Sequence, residues 1–340
     1  MHQKGTALKA DGLLLLTAMI WGFAFVAQRS GMASIGPFAF NAVRFALGAA
    51  SLLPLILLGR RSRSSSVRTL DSGGKALRIL AAGTVLFCGA SLQQVGIVTT
   101  TAGNAGFITS LYVVLVPIIG FLFRRSSGTL YGAGIWIGAL LALAGLYVLS
   151  VSGTLVMKTG DLLELIGALF WAVHILLVGR FAAVMDALEL AAGQFAVCSI
   201  WSLAGALLAE PNPFAGTVAA ALPILYGGLF SIGVAYTLQI VAQKSAHPAH
   251  ASIILSMESL FAGLGGVVLL SEALTWRLAG GGFLMLAGMM VSQLGPAPKG
   301  NKSSSLSEPE TFGSDGAPPT ARARPAATHR EQGEPYGNER

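Results

Sequence analysis

The chain has 340 residues, of which 54% are hydrophobic and only 11% are charged, and its mean hydropathy is +0.69. Soluble domains carry about 25% charged residues, so this composition excludes an ordinary cytosolic enzyme. The net charge of +7 does not indicate a nucleic acid partner, because acids and bases cancel from Gly295 onward and the excess lies mostly in short loops. We therefore expect an integral membrane protein embedded in the lipid bilayer.

Ten apolar segments of about twenty residues follow one another along the chain, each long enough to cross a bilayer as a helix. They are separated by charges or by clusters of Gly, Pro and Ser, which favour turns. The predicted spans are 11–30, 36–58, 77–98, 102–123, 130–151, 162–180, 188–209, 218–242, 249–270 and 276–293. This pattern predicts an all-α membrane protein with ten transmembrane helices.

The loops between the spans differ in their content of Lys and Arg, which sets orientation in a membrane. The loops on one side carry Lys4, Lys9, Arg60, Arg61, Arg63, Arg68, Lys75, Arg78, Arg124, Arg125, Arg180 and Lys244. The opposite side carries only Arg29, Lys158 and Arg277. We therefore predict a protein of the cytoplasmic (inner) membrane with both termini in the cytoplasm.

The composition changes abruptly after Leu294 to Pro, Gly, Ser and charged residues. Such a segment lacks the aliphatic side chains that are needed to bury a core. We therefore predict that residues 295–340 form a disordered cytoplasmic tail.

The two halves of the apolar region resemble each other. ADGLLLLTAMIWG in the first span matches GDLLELIGALFWA in the sixth, which pairs Asp11 with Asp161 and Trp21 with Trp171. TAGNAGFITSLYVVLVP and HPAHASIILSMESLFAG share their spacing of small residues. Five spans per half is an odd number, so the second half must be inverted, which is typical of secondary transporters with a site near the midplane. The predicted repeats are residues 1–151 and 152–294.

The order of these features resembles the drug/metabolite transporter superfamily, and in particular its EamA-type members with two five-helix repeats. The resemblance covers residues 10–293 and rests on Trp21–Gly22, on Pro37 followed by Arg44, and on the segments that begin at Ala102, Gly160 and Ile253. It implies export or uptake of small metabolites, amino acids or drug-like compounds. Ser259 stands where the family usually has Pro after Glu258, so no proline kink is encoded there.

Glu258 lies in the interior of the ninth span, roughly 15 Å from Pro248 at about 1.5 Å per residue. A carboxyl group at that depth costs about 2.5–3.5 kcal/mol on insertion scales and is a candidate functional site. It could carry a proton, pair with Arg44 or contact an amino group of the substrate. The alternative is a protonated carboxyl that only bonds a neighbouring helix.

Arg44 lies inside the second span, and Asn41 shares its face of the helix. Arg44 could line a cavity and bind an anionic group, or it could clamp neighbouring carbonyl groups. Tyr236 and Gln239 form a polar stripe on the eighth span, which favours a wet cavity over isolated interhelical hydrogen bonds. Trp21 and Trp171 are candidate cavity walls, with packing as the alternative. Two further acids, Asp11 and Asp161, are interpreted as helix caps.

The chain contains no GxxxxGK[ST], HExxH or GxSxG motif, so we expect neither a catalytic centre nor a cofactor. The stripe of Gly134, Gly138 and Ala142 permits close helix contact, either within the bundle or at the surface of a homodimer. We predict a secondary transporter working by alternating access on a small-molecule substrate, with protons as possible coupling ions. An intramembrane enzyme and a membrane receptor or scaffold remain as alternatives.

Overall fold

The computed structural model describes residues 2–59, 72–100, 102–124, 132–150, 158–270 and 275–292, and within these ranges it is all-helical. The predicted tail, residues 295–340, lies outside the described residues. The helices are α1 (His2–Gly31), α2 (Pro37–Gly59), α3 (Ser72–Thr99), α4a (Ala102–Thr109), α4b (Tyr112–Arg124), α5 (Ala133–Ser150), α6 (Thr159–Phe181), α7 (Ala187–Ala209), α8 (Ala221–Leu225, Tyr226–Tyr236 and Thr237–Ala242), α9a (Pro248–Leu255), α9b (Glu258–Leu270) and α10 (Trp276–Ser292).

Each predicted span coincides with a helix or with consecutive helical segments. Seven helical stretches of the described residues are long and apolar enough to cross a membrane, by length and composition. Two shorter apolar helices, Ala133–Val148 and Ala279–Ser292, correspond to the predicted fifth and tenth spans. The ninth span is divided into α9a and α9b. The prediction of an all-α, multi-pass membrane protein is confirmed.

The two predicted helix caps have different outcomes. Asp161 does cap α6, since its Oδ2 accepts a hydrogen bond of 2.8 Å from the backbone N–H of Lys158. Asp11 is not a cap, because α1 begins well before it, at His2. Polar residues extend that helix beyond the apolar segment, so the end of the hydrophobic run did not mark the end of the helix.

Gly138 and Ala142 of the predicted small-residue stripe lie in the interface between α5 and α10. A Cβ atom at Gly138 would lie 2.7 Å from the carbonyl oxygen of Gly288, and one at Gly145 would lie 2.6 Å from that of Gly281. GIWIGALLALAG, from Gly134, matches RLAGGGFLMLAG, from Arg277, which aligns Gly138 with Gly281 and Gly145 with Gly288. Each glycine therefore contacts the partner of the other aligned pair. A two-fold axis between the helices produces this exchange. The predicted homodimer stays a prediction.

Other helix pairs follow the same symmetry. Helix α3 packs against α6 and α7, and its counterpart α8 packs against α1 and α2. Likewise, α1 packs against both parts of α9, and α6 packs against both parts of α4. The packing therefore places the broken helices α4 and α9 at the centre of the bundle. The predicted repeat boundaries at 151/152 and 294/295 fall outside the described residues and stay predictions.

Candidate functional site

Helices α4 and α9 are both interrupted at aligned positions in the repeat. The turn in α4 is at Ser110, and the turn in α9 is at Ser256. Serine hydroxyls join the two turns: Ser110 Oγ lies 2.7 Å from Ser259 Oγ, which donates to the Gly106 carbonyl at 2.7 Å. The helix therefore breaks beside Glu258 without the proline, because hydroxyl groups bond across the two turns.

Glu258 is the first residue of α9b, and 3% of its surface is exposed. Its Oε1 accepts hydrogen bonds from the hydroxyl of Tyr112 at 3.0 Å and from Ser110 Oγ at 3.3 Å. The free N–H groups of a helix N-terminus also favour a carboxylate at this position. The break in α9 thus gives Glu258 a polar environment deep in the bundle. Sequence reasoning missed Tyr112, which stands at the position aligned with Glu258 itself.

A cavity of about 40 Å³ lies next to Glu258. Six of the seven predicted site residues line it: Trp21, Arg44, Trp171, Tyr236, Gln239 and Glu258. The other lining residues are Phe25, Gln28, Gln93, Thr109, Tyr112, His174, Ile175 and Ser231. Since one water molecule needs about 10–15 Å³ by this kind of measure, the cavity holds a few water molecules. A larger solute requires the surrounding helices to move apart.

Arg44 is held against the cavity by neighbours on its own helix. Its Nε donates to Asn41 Oδ1 at 2.9 Å, and its guanidinium lies 5.3 Å and 5.1 Å from the ring centres of Phe40 and Phe45. Asn41 is fully buried behind Arg44 and also donates to the carbonyl of Ala90. Among the described residues, no carboxylate bonds the Arg44 guanidinium. The predicted pairing with Glu258 is therefore not formed in this conformation, although both groups line one cavity.

Aromatic rings cluster around Tyr236. Its ring centre lies 4.5 Å from that of Trp21, 6.2 Å from that of Trp171 and 6.1 Å from that of His174. The indole N–H of Trp21 donates to the Ser231 carbonyl, and that of Trp171 donates to Gln93 Oε1. Both tryptophans are therefore fixed in orientation, with one supplied by each predicted repeat. Their predicted role as cavity walls stays a prediction.

The middle of α8 is a π-helix over Tyr226–Tyr236. Its wide turns leave carbonyl groups available to other partners: that of Ser231 accepts from Trp21, and that of Ala235 accepts from Thr17 Oγ1 at 3.2 Å. Such segments are rare and occur frequently at functional sites. In this protein the π-helix ends directly before the turn that carries Gln239. Apolar periodicity did not predict it, because its sequence is compatible with an ordinary α-helix.

Gln239 has an unusual side chain amide. It is 1% exposed, and neither its oxygen nor its nitrogen has a hydrogen-bond partner among the described residues. A buried amide without partners costs on the order of 1–3 kcal/mol, and such an exception calls for an explanation. Because Gln239 lines the cavity, water or a bound solute can complete its hydrogen bonds.

Sequence reasoning also missed Glu164, near the start of the sixth predicted span. It is fully buried on α6, and its Oε2 accepts a hydrogen bond of 3.1 Å from Thr109 Oγ1. An acid inside an apolar span is rare, and this is the signal in the sequence that points to it. Within the described residues, no cluster of three or more His, Cys, Asp or Glu side chains could hold a metal ion.

At the predicted cytoplasmic end of the bundle, His250 connects three helices. Its Nε2 lies 2.9 Å from Asp11 Oδ1, and its Nδ1 lies 2.8 Å from Ser292 Oγ. These contacts link α9a to α1 and α10. Asp11 therefore bonds a side chain on another helix, where the repeat had suggested a cap like that of Asp161.

Known proteins resemble this chain over most of its length. The model of the EamA-like transporter family matches residues 8–151 and again residues 158–293. An uncharacterized transporter from Archaeoglobus fulgidus is 34% identical over 84% of this chain and 86% of its own length. The uncharacterized transporter YoaV from Bacillus subtilis is 21% identical over 83% of this chain and 95% of its own. A protein crystal structure with 22% identity covers 84% of this chain and 96% of its own with a TM-score of 0.68, which shows a shared fold.

Proposed function

From the premise that the chain belongs to the EamA-like transporter family, we propose that this multi-pass membrane transporter is a secondary transporter of a small solute. It works by alternating access in the cytoplasmic membrane, with both termini in the cytoplasm. The two halves, residues 1–151 and 152–294, rock about the central cavity. The observation that carries the proposal is this cavity, whose polar groups come from both halves of the chain and lie beside two broken helices.

The chemistry of the cavity favours a solute that combines an anionic group with a small apolar or planar part. Arg44 offers a buried positive charge that no carboxylate of the described residues neutralises. Gln239 offers a donor and an acceptor, both unpartnered within the described residues. The rings of Trp21, Trp171 and Tyr236 supply flat apolar surfaces nearby. A carboxylate-containing metabolite or amino acid fits these groups.

Proton coupling through Glu258 is part of the proposal. The carboxyl group lines the cavity and accepts hydrogen bonds from two hydroxyl donors, so it can exchange a proton with cavity water without leaving the polar site. Removing the carboxyl by Glu258→Gln keeps the size of the side chain. We expect the variant to lose solute accumulation driven by a pH gradient.

The test is flux across liposomes that contain the purified full-length chain. The vesicles are loaded with a defined mixture of amino acids and small organic acids, and the contents are followed by mass spectrometry under an imposed pH gradient. We expect selective loss of at least one anionic or zwitterionic solute, and no such loss from Arg44→Ala vesicles. Binding without flux would indicate a receptor, whereas a chemical change in the mixture would indicate an enzyme; either result contradicts the proposal.

A matched pair of variants separates binding from folding. Gln239→Leu removes an amide that has no partner among the described residues, so the protein should keep or slightly gain thermal stability while losing flux. Gln243→Leu, at the residue that follows α8, removes a hydrogen bond of 3.0 Å to the Ile175 carbonyl and should lower stability. If Gln239→Leu lowers stability as much as Gln243→Leu does and leaves flux unchanged, Gln239 is structural.

A further inference from the structure

We propose that Glu164 is a second proton-binding site of the transporter, which takes a proton from the predicted outer side and passes it through the cavity to Glu258. This inference rests on the proposed function and extends it from one carboxyl group to two. The step moves a single proton: the carboxylate of Glu164 gains it from outer water and releases it to cavity water, and the carboxylate of Glu258 then accepts it.

The position of Glu164 joins the cavity to one end of the bundle. It lies about 7 Å along α6 from Thr159, at about 1.5 Å per residue. Its partner Thr109 lines the cavity and donates to Glu164 Oε2 at 3.1 Å. Thr109 is thus the side chain through which Glu164 contacts the site that Glu258 shares.

The second oxygen of this carboxyl group is available to a mobile ligand. Glu164 is fully buried, and its Oε1 has no hydrogen-bond partner among the described residues. Burying an unpartnered polar atom is costly, and such atoms in a native protein call for an explanation. A proton that binds and leaves in each cycle provides one.

The charged groups around Glu164 are engaged by other partners; Arg29 of α1, for example, donates to the carbonyls of Ile97 and Val98 on α3. On its own helix lies Asp161, which is engaged by the N–H of Lys158 and by Thr100 Oγ1. The residues of α3 beside it are uncharged, as is Thr109 of α4a. The other packed helices carry the titratable groups Tyr112 on α4b and His250 and Glu258 on α9; Tyr112 bonds Glu258, and His250 bonds Asp11. No Lys, Arg or His side chain of the described residues bonds Glu164, which leaves its carboxylate open to neutralisation by a proton from solution.

A close backbone contact separates Glu164 from the end of the bundle. A Cβ atom at Gly96 of α3 would lie 2.9 Å from the carbonyl oxygen of Gly160 and 3.1 Å from Glu164 Cγ. In this conformation α3 therefore covers the carboxyl group. Separation of α3 from α6 during the transport cycle would expose Glu164 to outer water, while Thr109 keeps it in contact with the cavity.

The internal repeat argues against a purely structural role. The position aligned with Glu164 in the first repeat is Leu14, which is also fully buried. The shared fold therefore accepts an apolar side chain at this place. Of the two aligned positions, only the one near the predicted outer end of its helix carries a carboxyl group.

The experiment uses the full-length protein in liposomes and the solute that leaves wild-type vesicles in the flux assay. Solute exchange at equal pH on both sides is compared with accumulation driven by a pH gradient. We expect Glu164→Gln to keep exchange but to reduce accumulation at least about fivefold. This factor corresponds to the lower end of typical coupling free energies between two sites. Glu189→Gln, which removes a surface ion pair with Lys75, is the control and should retain both activities.

A second measurement needs no solute. Infrared difference spectra of the protein in lipid nanodiscs, between acidic and alkaline buffer, detect the carbonyl band of protonated carboxyl groups. We expect one component of this band to be missing in Glu164→Gln and another in Glu258→Gln. Glu164→Leu should fold as the wild type does and also lack the first component.

The outcomes separate the two proposals. If the wild-type protein shows no solute exchange, the transporter function is contradicted. If the infrared band of Glu164→Gln is the same as that of the wild type, the second proton site alone is overturned. Accumulation in Glu164→Gln that equals the wild type would also overturn it. If accumulation follows a sodium gradient and not a pH gradient, the coupling ion is a metal cation, and the proposed proton site is overturned.

Discussion

Helices α4 and α9 occupy equivalent places in the two repeats, yet they differ in what they bring to the cavity. Both break at an aligned serine, and both lie at the centre of the bundle. Two residues after the serine, α4 carries Tyr112 and α9 carries Glu258, and the tyrosine hydroxyl donates to the carboxyl group at 3.0 Å. The symmetry of the fold therefore sets the backbone breaks, whereas substitutions within that symmetry provide donor and acceptor.

The two helices also differ in how closely α1 packs against them. A Cβ atom at Gly22 would lie 2.6 Å from Phe261 Cβ and 2.7 Å from the carbonyl oxygen of Glu258 on α9b. At Gly106 of α4a, the nearest atom would be the ring of Phe25 at 3.5 Å, an ordinary contact. Helix α1 is thus in backbone contact with α9b, which carries Glu258. Its contact with α4a, in the equivalent helix of the other repeat, is less close.

The largest effect on stability and flux is expected from Gly22→Ala. The added methyl group would collide with backbone atoms of Glu258 and Ala262, which cannot rotate away. Overpacking of this kind costs about 1–3 kcal/mol, and occasionally more. We expect a lower melting temperature in detergent and a loss of flux, because α9b has to shift together with Glu258.

Gly106→Ala is the matched control on α4a. Its methyl group fits in ordinary contact, and Ala favours a helix over Gly by about 1 kcal/mol, so stability should be unchanged or slightly higher. Equal destabilisation by the two alanines would show that α1 packs equally tightly against both broken helices, which contradicts the comparison.

A smaller effect is expected from Ser259→Ala. Its hydroxyl connects the two breaks by donating to the Gly106 carbonyl and contacting Ser110 Oγ. Hydrogen bonds between membrane helices average about 0.6 kcal/mol, with a maximum of about 1.7, so thermal unfolding should report a loss in this range.

Ser252→Ala is the comparison for that variant, since the Ser252 hydroxyl bonds the Ala249 carbonyl within its own helix and, among the described residues, no group on another helix. Its stability should remain close to wild type. Ser259→Pro would introduce the residue usual in the resembling family; proline is tolerated in a first helical turn, but here it also removes the backbone N–H that donates to the Ser256 carbonyl at 3.2 Å, so its loss should exceed that of Ser259→Ala by about one hydrogen bond. A much greater loss would mean that the break depends on the backbone N–H of Ser259.

The predictable part of this molecule is the part that follows from hydropathy and repetition. Apolar length predicted the spans, and the family resemblance is confirmed by the match over residues 8–151 and 158–293. The depth of Glu258 and Arg44 was visible because charged residues are rare in apolar helices. The site residues that were named do meet around one cavity, with Asn41 behind it.

The remaining features depend on three-dimensional contacts that hydropathy does not encode. The break at Ser256 comes from hydroxyl bonds between two helices that are far apart in sequence. The π-helix over Tyr226–Tyr236 is stabilised by partners on α1. The pairing of His250 with Asp11 joins opposite ends of the chain, so no local pattern could reveal it.

The smallest effect on stability, but a specific effect on function, is expected from Tyr112→Phe. The change removes one hydrogen bond to Glu258 and leaves the ring and its packing in place, so the free energy of unfolding should fall by only about 0.6 kcal/mol. Flux driven by a pH gradient should fall more than exchange at equal pH, because Tyr112 contacts the proposed proton carrier and not the guanidinium of Arg44. Tyr147→Phe, on the exposed face of α5, is the matched control and should change neither activity. If exchange and gradient-driven flux fall equally, Tyr112 takes part in solute binding. The difference between Tyr112 on α4 and Glu258 on α9 would then serve solute binding and not proton transfer.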